Sequence, residues 1–311
     1  MKVFVAGASG AIGRPLVSRL VAAGHEVTGT TRFEAKAEAI RAAGAKPVVV
    51  DAFDADVLSD AVGRAAPDVV VHELTALPHR FNPRNSSIYD ATNRVRREGT
   101  RNLLDAAETA GARRFVCQSV AFAYAPGPQA EVKDEDAPLS LTAPKPFGEG
   151  VRVIDEMERS VVGAERLEGV VLRYGWFYGP GTYYGGDGSM ATDVRKRRFP
   201  IVGSGAGLFS FIHVDDAADA TVAAVERGAP GIYNVVDDDP AAVRDWLPAY
   251  AEAIGAPPPR RIPVWLARIV AGPVAGAVNV QPGASNAKAK RDLAWRPRWR
   301  SWREGFPEAP R

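Results

Sequence analysis

The first thirteen residues constrain the fold of this chain more than any other segment, because a glycine turn directly follows an apolar run. Residues 3–5 predict a buried strand, glycines follow at positions 7, 10 and 13, and residues 12–21 have an apolar helical pattern. The unpaired N–H groups and the dipole at a helix N-terminus favour an anion at such a turn. Gly7 permits the tight turn, Gly10 lets a pyrophosphate approach the backbone, and Gly13 lets the helix pack on the strand. The segment therefore predicts a dinucleotide site, whose expected contacts are Gly7, Ser9, Gly10, Ala11, Ile12 and Gly13.

Strand-like and helix-like segments alternate through the first 173 residues. The predicted strands cover residues 2–6, 26–30, 47–50, 68–72, 114–119 and 169–173, and the predicted helices cover residues 11–23, 34–43, 56–65, 88–111 and 149–162. This alternation predicts an α/β fold with a doubly wound parallel sheet of the Rossmann type. Right-handed crossovers then place the carboxyl ends of the strands, and with them the ligand crevice, at one edge of the sheet.

The composition changes after residue 173, and Gly and Pro are frequent up to residue 207. Phe209–Val214 and Gly231–Val235 predict strands that return to the sheet. We therefore expect a dinucleotide-binding domain at residues 1–173, with return strands at 208–236, and a smaller C-terminal substrate domain within 174–311, mainly 174–207 and 237–311.

The Gly-x-x-Gly-x-x-Gly spacing resembles that of the short-chain dehydrogenase/reductase superfamily in its extended form, which includes nucleotide-sugar epimerases and dehydratases. Later segments fit the same resemblance in order, namely 99–107, 172–174 with 178–181, 211–217, and 285–289 with 293–297. The resemblance implies a nicotinamide dinucleotide cofactor and a small-molecule substrate. In this family the helices corresponding to 88–111 and 149–162 often form a dimer face, so a homodimer is a further expectation.

The composition argues against several other classes of protein. The net charge of +2 gives no reason to expect nucleic acid as a partner. The single cysteine, Cys117, cannot form an internal disulfide, and the four histidines show no metal-ligand spacing. Met1 leads directly into the first strand, which leaves no room for a signal peptide, and the apolar stretch 262–280 is interrupted by Arg268 and two prolines. We therefore expect a cytoplasmic enzyme with no metal and no membrane partner.

The end of the second predicted strand bears on the choice of cofactor. An acidic residue there accepts hydrogen bonds from the ribose of NAD and would repel a 2′-phosphate. In this chain Thr31 takes that place and Arg32, whose guanidinium matches a phosphate, follows it. We therefore expect NADP, with NAD as the alternative. The resemblance implies an adenine contact from Asp51 and further cofactor contacts from Ala52, Leu74, Thr75, Ala76, Ser119, Tyr174 and Phe177.

The catalytic region departs from the family pattern. Members of the family carry Tyr-x-x-x-Lys on one helix face and a Ser or Thr on the preceding strand, but none of the eight tyrosines here is followed by such a lysine. By register, Phe147 takes the Tyr position and Val151 the Lys position. If Tyr124 is the tyrosine that normally follows the Ser or Thr by four residues, Val120 takes that third position. All three usual catalytic groups are then replaced by apolar side chains.

Three explanations remain open at this point. A different acid could act, with Ser119 and Tyr124 as the catalytic candidates and Lys145, Glu149 and Tyr178 as weaker ones. Alternatively, the reaction transfers hydride with little need of a proton. The third explanation is a non-catalytic dinucleotide-sensing protein.

The predicted substrate pocket is aromatic. Trp176 replaces an Asn that sugar-nucleotide epimerases of this type carry shortly after Leu-Arg-Tyr. The expected pocket residues are Val120, Phe147, Trp176, Tyr178 and Tyr183, a set that suits a planar or apolar ligand better than a sugar diphosphate. We expect an NADP(H)-dependent oxidoreductase acting on a small apolar or aromatic carbonyl/alcohol pair or activated double bond. The enzymatic alternative is an NAD(P)-dependent sugar-nucleotide epimerase or dehydratase.

Overall fold

The computed structural model describes residues 1–78, 87, 89–271 and 278–308. The strands in chain order are β1 (Lys2–Ala6), β2 (Glu26–Thr31), β3 (Lys46–Val49), β4 (Val69–His72), β5 (Arg114–Val120), β6 (Val132–Lys133), β7 (Glu168–Tyr174), β8 (Trp176–Tyr178), β9 (Ile201–Val202), β10 (Leu208–Phe209), β11 (Phe211–His213), β12 (Gly231–Val235), β13 (Ala241–Ala242), β14 (Arg261–Ile262) and β15 (Gly283–Ala284). The α-helices are α1 (Gly13–Ala22), α2 (Ala37–Ala42), α3 (Ala55–Ala65), α4 (Asp90–Arg94), α5 (Thr100–Thr109), α6 (Phe147–Val162), α7 (Ser189–Arg195), α8 (Val214–Glu226), α9 (Val243–Ala253), α10 (Val264–Ala271), α11 (Ala287–Asp292) and α12 (Trp302–Gly305).

Seven parallel strands form the central sheet, in the order β12-β7-β5-β4-β1-β2-β3. This arrangement confirms the predicted doubly wound α/β fold. Because all seven strands run in one direction, their carboxyl ends lie along a single edge of the sheet.

Side-chain alternation along β1 explains why helices cover both faces of the sheet. Val3 and Val5 pack in a core with α1 and α8, whereas Phe4 and Ala6 pack in a second core with α3 and α5. The strand is therefore buried on both sides, as parallel strands usually are.

The predicted helix at 88–111 is continuous but not uniform, and residue 88 lies outside the described residues. A π-helical turn, Val95–Gly99, separates α4 from α5. Such turns occur often at functional sites, because they re-aim the side chains that they carry.

A further aromatic core lies beyond the sheet, formed by residues of β11, α7, α9 and α12, among them Phe211, Trp246, Tyr250 and Trp302. The prediction that Phe209–Val214 joins the sheet is wrong. The segment splits at Ser210: β10 pairs with β13 and β11 pairs with β8. The Ser210 carbonyl accepts a hydrogen bond from the Trp176 N–H, and a Cβ at Gly175 would lie 2.4 Å from the same oxygen. The segment therefore packs against the chain just beyond the end of β7, where β8 is its partner, rather than against a strand of the sheet. β12 does return to the sheet, beside β7.

None of the helices within the described residues combines the length and the apolar character needed to cross a membrane. The apolar stretch 262–280 contains α10, and its residues 272–277 lie outside the described part of the chain.

Candidate cofactor and substrate site

The glycine turn between β1 and α1 forms a cradle that is open on one side. Gly7 has a φ of +95°, and a Cβ there would lie 2.7 Å from the Glu73 carbonyl oxygen. A Cβ at Gly13 would lie 2.2 Å from the Gly7 carbonyl oxygen, so these two glycines are required by the fold itself. A Cβ at Gly10 would meet only the Gly7 carbonyl oxygen, at 3.2 Å, and would otherwise point into open space.

The start of α1 adds free hydrogen-bond donors to this cradle. No side chain caps the helix at Ile12. The Arg14 N–H donates to the Gly10 carbonyl at 3.2 Å and Pro15 has no N–H, but the N–H groups of Ile12 and Gly13 have no acceptor among the described residues and are left for an anion. A valine-sized side chain at Gly10 would fill the open side of the turn. The residues present therefore fit the pyrophosphate of a dinucleotide. Arg14 extends from the same turn, and its Nη2 atom lies 2.9 Å from the position of a Cβ on Gly181.

The end of β2 carries a basic group of side chains rather than an acid. Thr31 is buried, and its hydroxyl accepts hydrogen bonds from the Ser9 hydroxyl at 3.3 Å and from the Phe33 N–H at 3.2 Å. The Arg32 guanidinium lies 5.6 Å from the centroid of the Phe33 ring, and the Lys36 ammonium lies 5.3 Å from the same centroid. Within the described residues neither cation forms an ion pair. Lys36 was not predicted as part of this group. Its position four residues after Arg32, across a 3₁₀ turn, is the sequence pattern that could have indicated it.

The ends of β3 and β4 carry the other expected cofactor residues. Asp51 is exposed and accepts a hydrogen bond from the Phe53 N–H at 3.0 Å. The Ala52 carbonyl accepts from the Asn102 amide at 2.9 Å, and the Leu74 carbonyl from the Gln118 amide at 2.9 Å.

Next to Leu74, Thr75 is exposed and Ala76 is half-buried. Backbone and side chains at both strand ends thus lie along the same edge as the glycine turn.

Glu73 was not predicted as part of this site. Its carboxyl accepts a hydrogen bond from the Tyr174 hydroxyl at 3.0 Å, and its other oxygen has no hydrogen-bond partner among the described residues. Burial raises the pKa of Glu73 to about 8, with the Tyr174 hydrogen bond opposing the shift. The acid is therefore mainly protonated at neutral pH. Tyr174 also contacts the Phe177 ring, with centroids 5.3 Å apart.

The two catalytic candidates, Ser119 and Tyr124, are buried in a polar network. Ser119 donates to Glu158 Oε1 at 2.5 Å, and the Arg173 guanidinium contacts both oxygens of the same carboxylate. Tyr124 donates to Asn234 Oδ1 at 2.7 Å and accepts from Arg173 at 2.9 Å. Both hydroxyls are thus already engaged inside the protein. Burial raises the pKa of Tyr124, and the neighbouring Arg173 opposes this shift.

The three residues that we predicted at the family's Ser, Tyr and Lys positions lie together in one apolar cluster. Val151 is buried with Ala123 and Ile154, and the half-buried Val120 and Phe147 pack against them. The weaker candidates Lys145 and Glu149 form an ion pair with each other at 3.1 Å near the start of α6. This cluster therefore presents no proton donor from the three family positions.

The expected aromatic pocket residues separate into two groups. Trp176 stacks on Phe122 at 4.1 Å and on Phe209 at 5.2 Å, and its buried Nε1 has no hydrogen-bond partner among the described residues. The Tyr183 hydroxyl donates to the Pro78 carbonyl and so ties the loop after β4 to the aromatic core beyond the sheet.

Tyr178, in contrast, is fully buried in the aromatic core. A Cβ on Gly305 would lie 2.2 Å from its hydroxyl, so no space remains beside it for a ligand. The structure places this residue in packing rather than at a pocket surface.

Arg96, in the π-helical turn, was also missed by the sequence analysis. Its guanidinium is half-buried, and it donates to Asn93 Oδ1 at 3.4 Å. Nothing in the local pattern distinguishes it from its neighbours Arg94 and Arg97. Both neighbours form ion pairs, with Glu98 and Glu156 respectively.

Fold and site together define a dinucleotide-binding protein of the Rossmann type. The profile of the NAD dependent epimerase/dehydratase family matches residues 3–235. The chain belongs to this family.

Relatives identify the chain as an enzyme of the family. It is 48% identical over 311 residues to a 3-diazoavenalumate denitrifying reductase from a Streptomyces species, covering 98% of this chain and 99% of the relative. It is 30% identical over 264 residues to a 4-hydroxy-2-methyl-3-oxo-4-farnesyl-3,4-dihydroquinoline-1-oxide ketoreductase from Stigmatella aurantiaca, covering 82% and 74% of the two chains. A solved structure of the Thermus thermophilus UDP-glucose 4-epimerase in complex with NAD matches with a TM-score of 0.75 and 26% identity, covering 99% and 97% of the two chains. The chain is accordingly an NAD(P)-dependent oxidoreductase.

Proposed function

We propose that this chain is an NADP(H)-dependent reductase that replaces the diazonium group of an aromatic metabolite by hydrogen and releases dinitrogen. The observation that carries the proposal is the packing of Val120, Phe147 and Val151 in one apolar cluster. We assign the cofactor to residues 1–173 and the substrate to the space between this domain and the aromatic core beyond the sheet.

The proton requirement of the reaction decides between substrate classes. Reduction of a ketone to an alcohol consumes a hydride and a proton, and a positioned acid contributes about 10²–10⁴-fold to such a step. Replacement of an aryl diazonium group by hydrogen consumes a hydride, forms a C–H bond and releases dinitrogen, with no proton consumed. A bound NADPH supplies hydride. An apolar wall in place of Ser, Tyr and Lys is therefore compatible with denitrification and unfavourable for ketone reduction.

The likeness to the Streptomyces denitrifying reductase supports the same reaction class, since it extends over nearly the whole of both chains. The ketoreductase relative favours a second candidate, the reduction of an aromatic or conjugated carbonyl. That reaction would need a proton from a group outside the three family positions.

Two residues at the end of β2 support NADP over NAD. Arg32 and Lys36 both contact the Phe33 ring and have no acidic partner among the described residues. A 2′-phosphate would supply the missing negative charge, and charge-assisted hydrogen bonds of this kind are among the strongest in proteins.

The aromatic lining supports a planar substrate. Trp176 and Phe122 stack at an interplanar angle of 15°, and Trp176 leaves a buried N–H unpaired among the described residues. We assign Trp176 and Tyr183 of the second domain, together with Phe122 of the first, to the substrate.

The experiment compares a diazonium with a ketone on the purified protein. A diazotised aminocinnamate with isotope-labelled nitrogen is incubated with NADPH, and cofactor oxidation is followed together with labelled dinitrogen by mass spectrometry. We expect equal amounts of oxidised cofactor and dinitrogen, above the background measured with Gly10→Val. Cofactor oxidation without dinitrogen, or a higher kcat/KM for an aromatic diketone than for the diazonium, would overturn the proposal.

A further inference from the structure

One cation at the carboxyl edge of the sheet has no acidic partner. Arg96 forms no ion pair with any described residue, and its hydrogen bond to Asn93 Oδ1 is long, at 3.4 Å. The ranges that the structure does not describe contain no Asp or Glu side chain, so they supply no carboxylate side chain to it. A guanidinium has five donors, and most of those on Arg96 remain without a protein acceptor in the described residues.

The position of Arg96 connects it to the apolar cluster. Asn93 Oδ1, its hydrogen-bond partner, lies 3.9 Å from the position of a Cβ on Gly150, and the Tyr89 ring lies at the same distance from that position. Gly150 precedes Val151, one of the three apolar replacements in α6. Through Asn93, Arg96 is thus connected to the part of α6 that carries Val151.

The surroundings of Arg96 also place it near the end of β4. Burial lowers the pKa of His72, the last residue of β4, to about 4, and the charge of Arg96 is the second cause of this lowering. Burial lowers the pKa of Arg96 itself to about 10, with Tyr89, Cys117 and Glu158 opposing the shift.

Glu158 does not neutralise Arg96, because its two oxygens are already bound by Arg173 and Ser119. A half-buried charge without a counter-ion is unfavourable, and a ligand that supplies the counter-ion removes this cost.

We propose that Arg96 binds the carboxylate of the substrate, so that this enzyme selects aromatic or conjugated carboxylic acids. This inference rests on the proposed function, because it assigns a carboxylate to the same substrate whose aromatic ring is proposed to contact Val120, Phe147 and Val151. The planar fork of Arg96 matches the two oxygens of a carboxylate, which a lysine would contact only as a point charge.

A binding experiment tests the proposal without any turnover. Trans-cinnamate and cinnamamide have the same shape but differ in charge, and neither carries a diazo group. Their affinities for the NADPH-saturated protein are measured by isothermal titration calorimetry. A bidentate, charge-assisted contact predicts that cinnamate binds about 10- to 100-fold more tightly than cinnamamide.

Three variants test whether Arg96 is responsible for the preference for cinnamate over cinnamamide. Arg96→Gln should bring the two affinities to within about twofold, and Arg96→Lys should leave an intermediate ratio. The matched control is Arg97→Gln in the same turn, because Arg97 is exposed and paired with Glu156 at 3.2 Å; its ratio should equal that of the parent. Unchanged NADPH affinity in Arg96→Gln shows that the fold and the cofactor site are intact.

The outcomes separate the two proposals. Failure to release dinitrogen, combined with Arg96-dependent preference for cinnamate, would overturn only the proposed reaction. The carboxylate assignment is overturned if the parent protein does not bind cinnamate, if Arg96→Gln keeps the parental ratio, or if this variant loses NADPH affinity as strongly as cinnamate affinity. In the last case Arg96 would serve the cofactor.

Discussion

The guanidinium of Arg173 contacts both carboxylate oxygens of Glu158, at 2.9 Å and 2.5 Å, and both side chains are almost fully buried, with exposed fractions of 4% and 3%. Arg173 belongs to β7 and Glu158 to α6. The pair therefore fixes the helix that carries Phe147 and Val151 against the central sheet. Ser119 adds a third hydrogen bond to the same carboxylate.

Removing one partner of this pair should strongly destabilise the fold. Glu158→Ala would leave Arg173 buried without a counter-ion, and such changes cost about 3–5 kcal/mol in the free energy of unfolding. Glu156→Ala, on the exposed side of the same helix, should cost about 0–1 kcal/mol. Urea unfolding of both variants measures the difference. Equal losses of stability would show that the buried pair contributes no more than a surface pair.

Cofactor preference should depend on Arg32. If Arg32 contacts a 2′-phosphate, Arg32→Ala should weaken NADPH binding by about 1.5–3 kcal/mol and leave NADH binding nearly unchanged. Fluorescence titration with both cofactors measures the two affinities. Arg41→Ala is the control, because Arg41 is exposed on α2 and paired with Glu38. An equal loss for both cofactors, or no loss for either, would remove the support for NADP.

Gly10→Val should abolish cofactor binding while the fold survives. The added side chain meets only the Gly7 carbonyl oxygen at 3.2 Å, a contact that a small shift relieves, but it occupies the open side of the phosphate cradle. Thermal melting with and without NADPH measures the effect. Gly63→Val on α3, where a Cβ has no neighbour within 4 Å, should still be stabilised by NADPH. A Gly10→Val protein stabilised as much as the parent would contradict the assigned role.

Restoring the family's donor should alter the reaction rather than the cofactor site. Phe147→Tyr combined with Val151→Lys should retain NADPH affinity and gain slow reduction of reactive diketones, since general acid catalysis contributes about 10²–10⁴-fold. Each single variant is the control, because the lysine is needed to lower the pKa of the phenol. Steady-state assays measure the gain. If the double variant loses NADPH affinity, these positions have been assigned wrongly.

Stability should fall as pH rises through the range set by Glu73. Its pKa is about 8 in the folded protein and near 4.5 when unperturbed, so between these values the folded state retains a proton that the unfolded state has lost. Folding then weakens with rising pH up to about 8. Glu73→Gln, which is neutral throughout, should flatten this part of the profile. Melting temperatures from about pH 5 to about pH 9 test this, and identical slopes for both proteins would disprove it.

The sequence was sufficient to predict the sheet because its signals are local. Runs such as Val69–Val71 and the glycine turn at residues 7–13 combine apolar character, length and turn chemistry within a few residues. Phe209–Val214 has the same apolar character, but its pairing partners, β8 and β13, are distant in sequence. The segment therefore formed two short strands outside the sheet.

Individual polar residues of the site were less predictable. Glu73 and Tyr174 are separated by 101 positions, so the protonated acid has no local signature. Arg96 has no local signature either. It lacks an acidic partner among the described residues because Glu158 is bound by Arg173 and Ser119, which are distant from it in sequence. The assignment of Phe147 and Val151 to the family's Tyr and Lys positions rests on their spacing of four residues along one helix face, and it stays a prediction.

In the proposed reaction, the apolar wall formed by Val120, Phe147 and Val151 would also determine in which direction the enzyme can work. A site that protonates a ketone must, by microscopic reversibility, also deprotonate the alcohol, so the same residues serve forward and backward turnover. A wall without a titratable group offers no return path of this kind, and once dinitrogen, the gaseous product of the proposed reaction, has escaped, the step cannot reverse. Such an enzyme would convert its substrate irreversibly at the hydride step. It could therefore select among substrates only when it binds them, because no later equilibrium could return a wrong one.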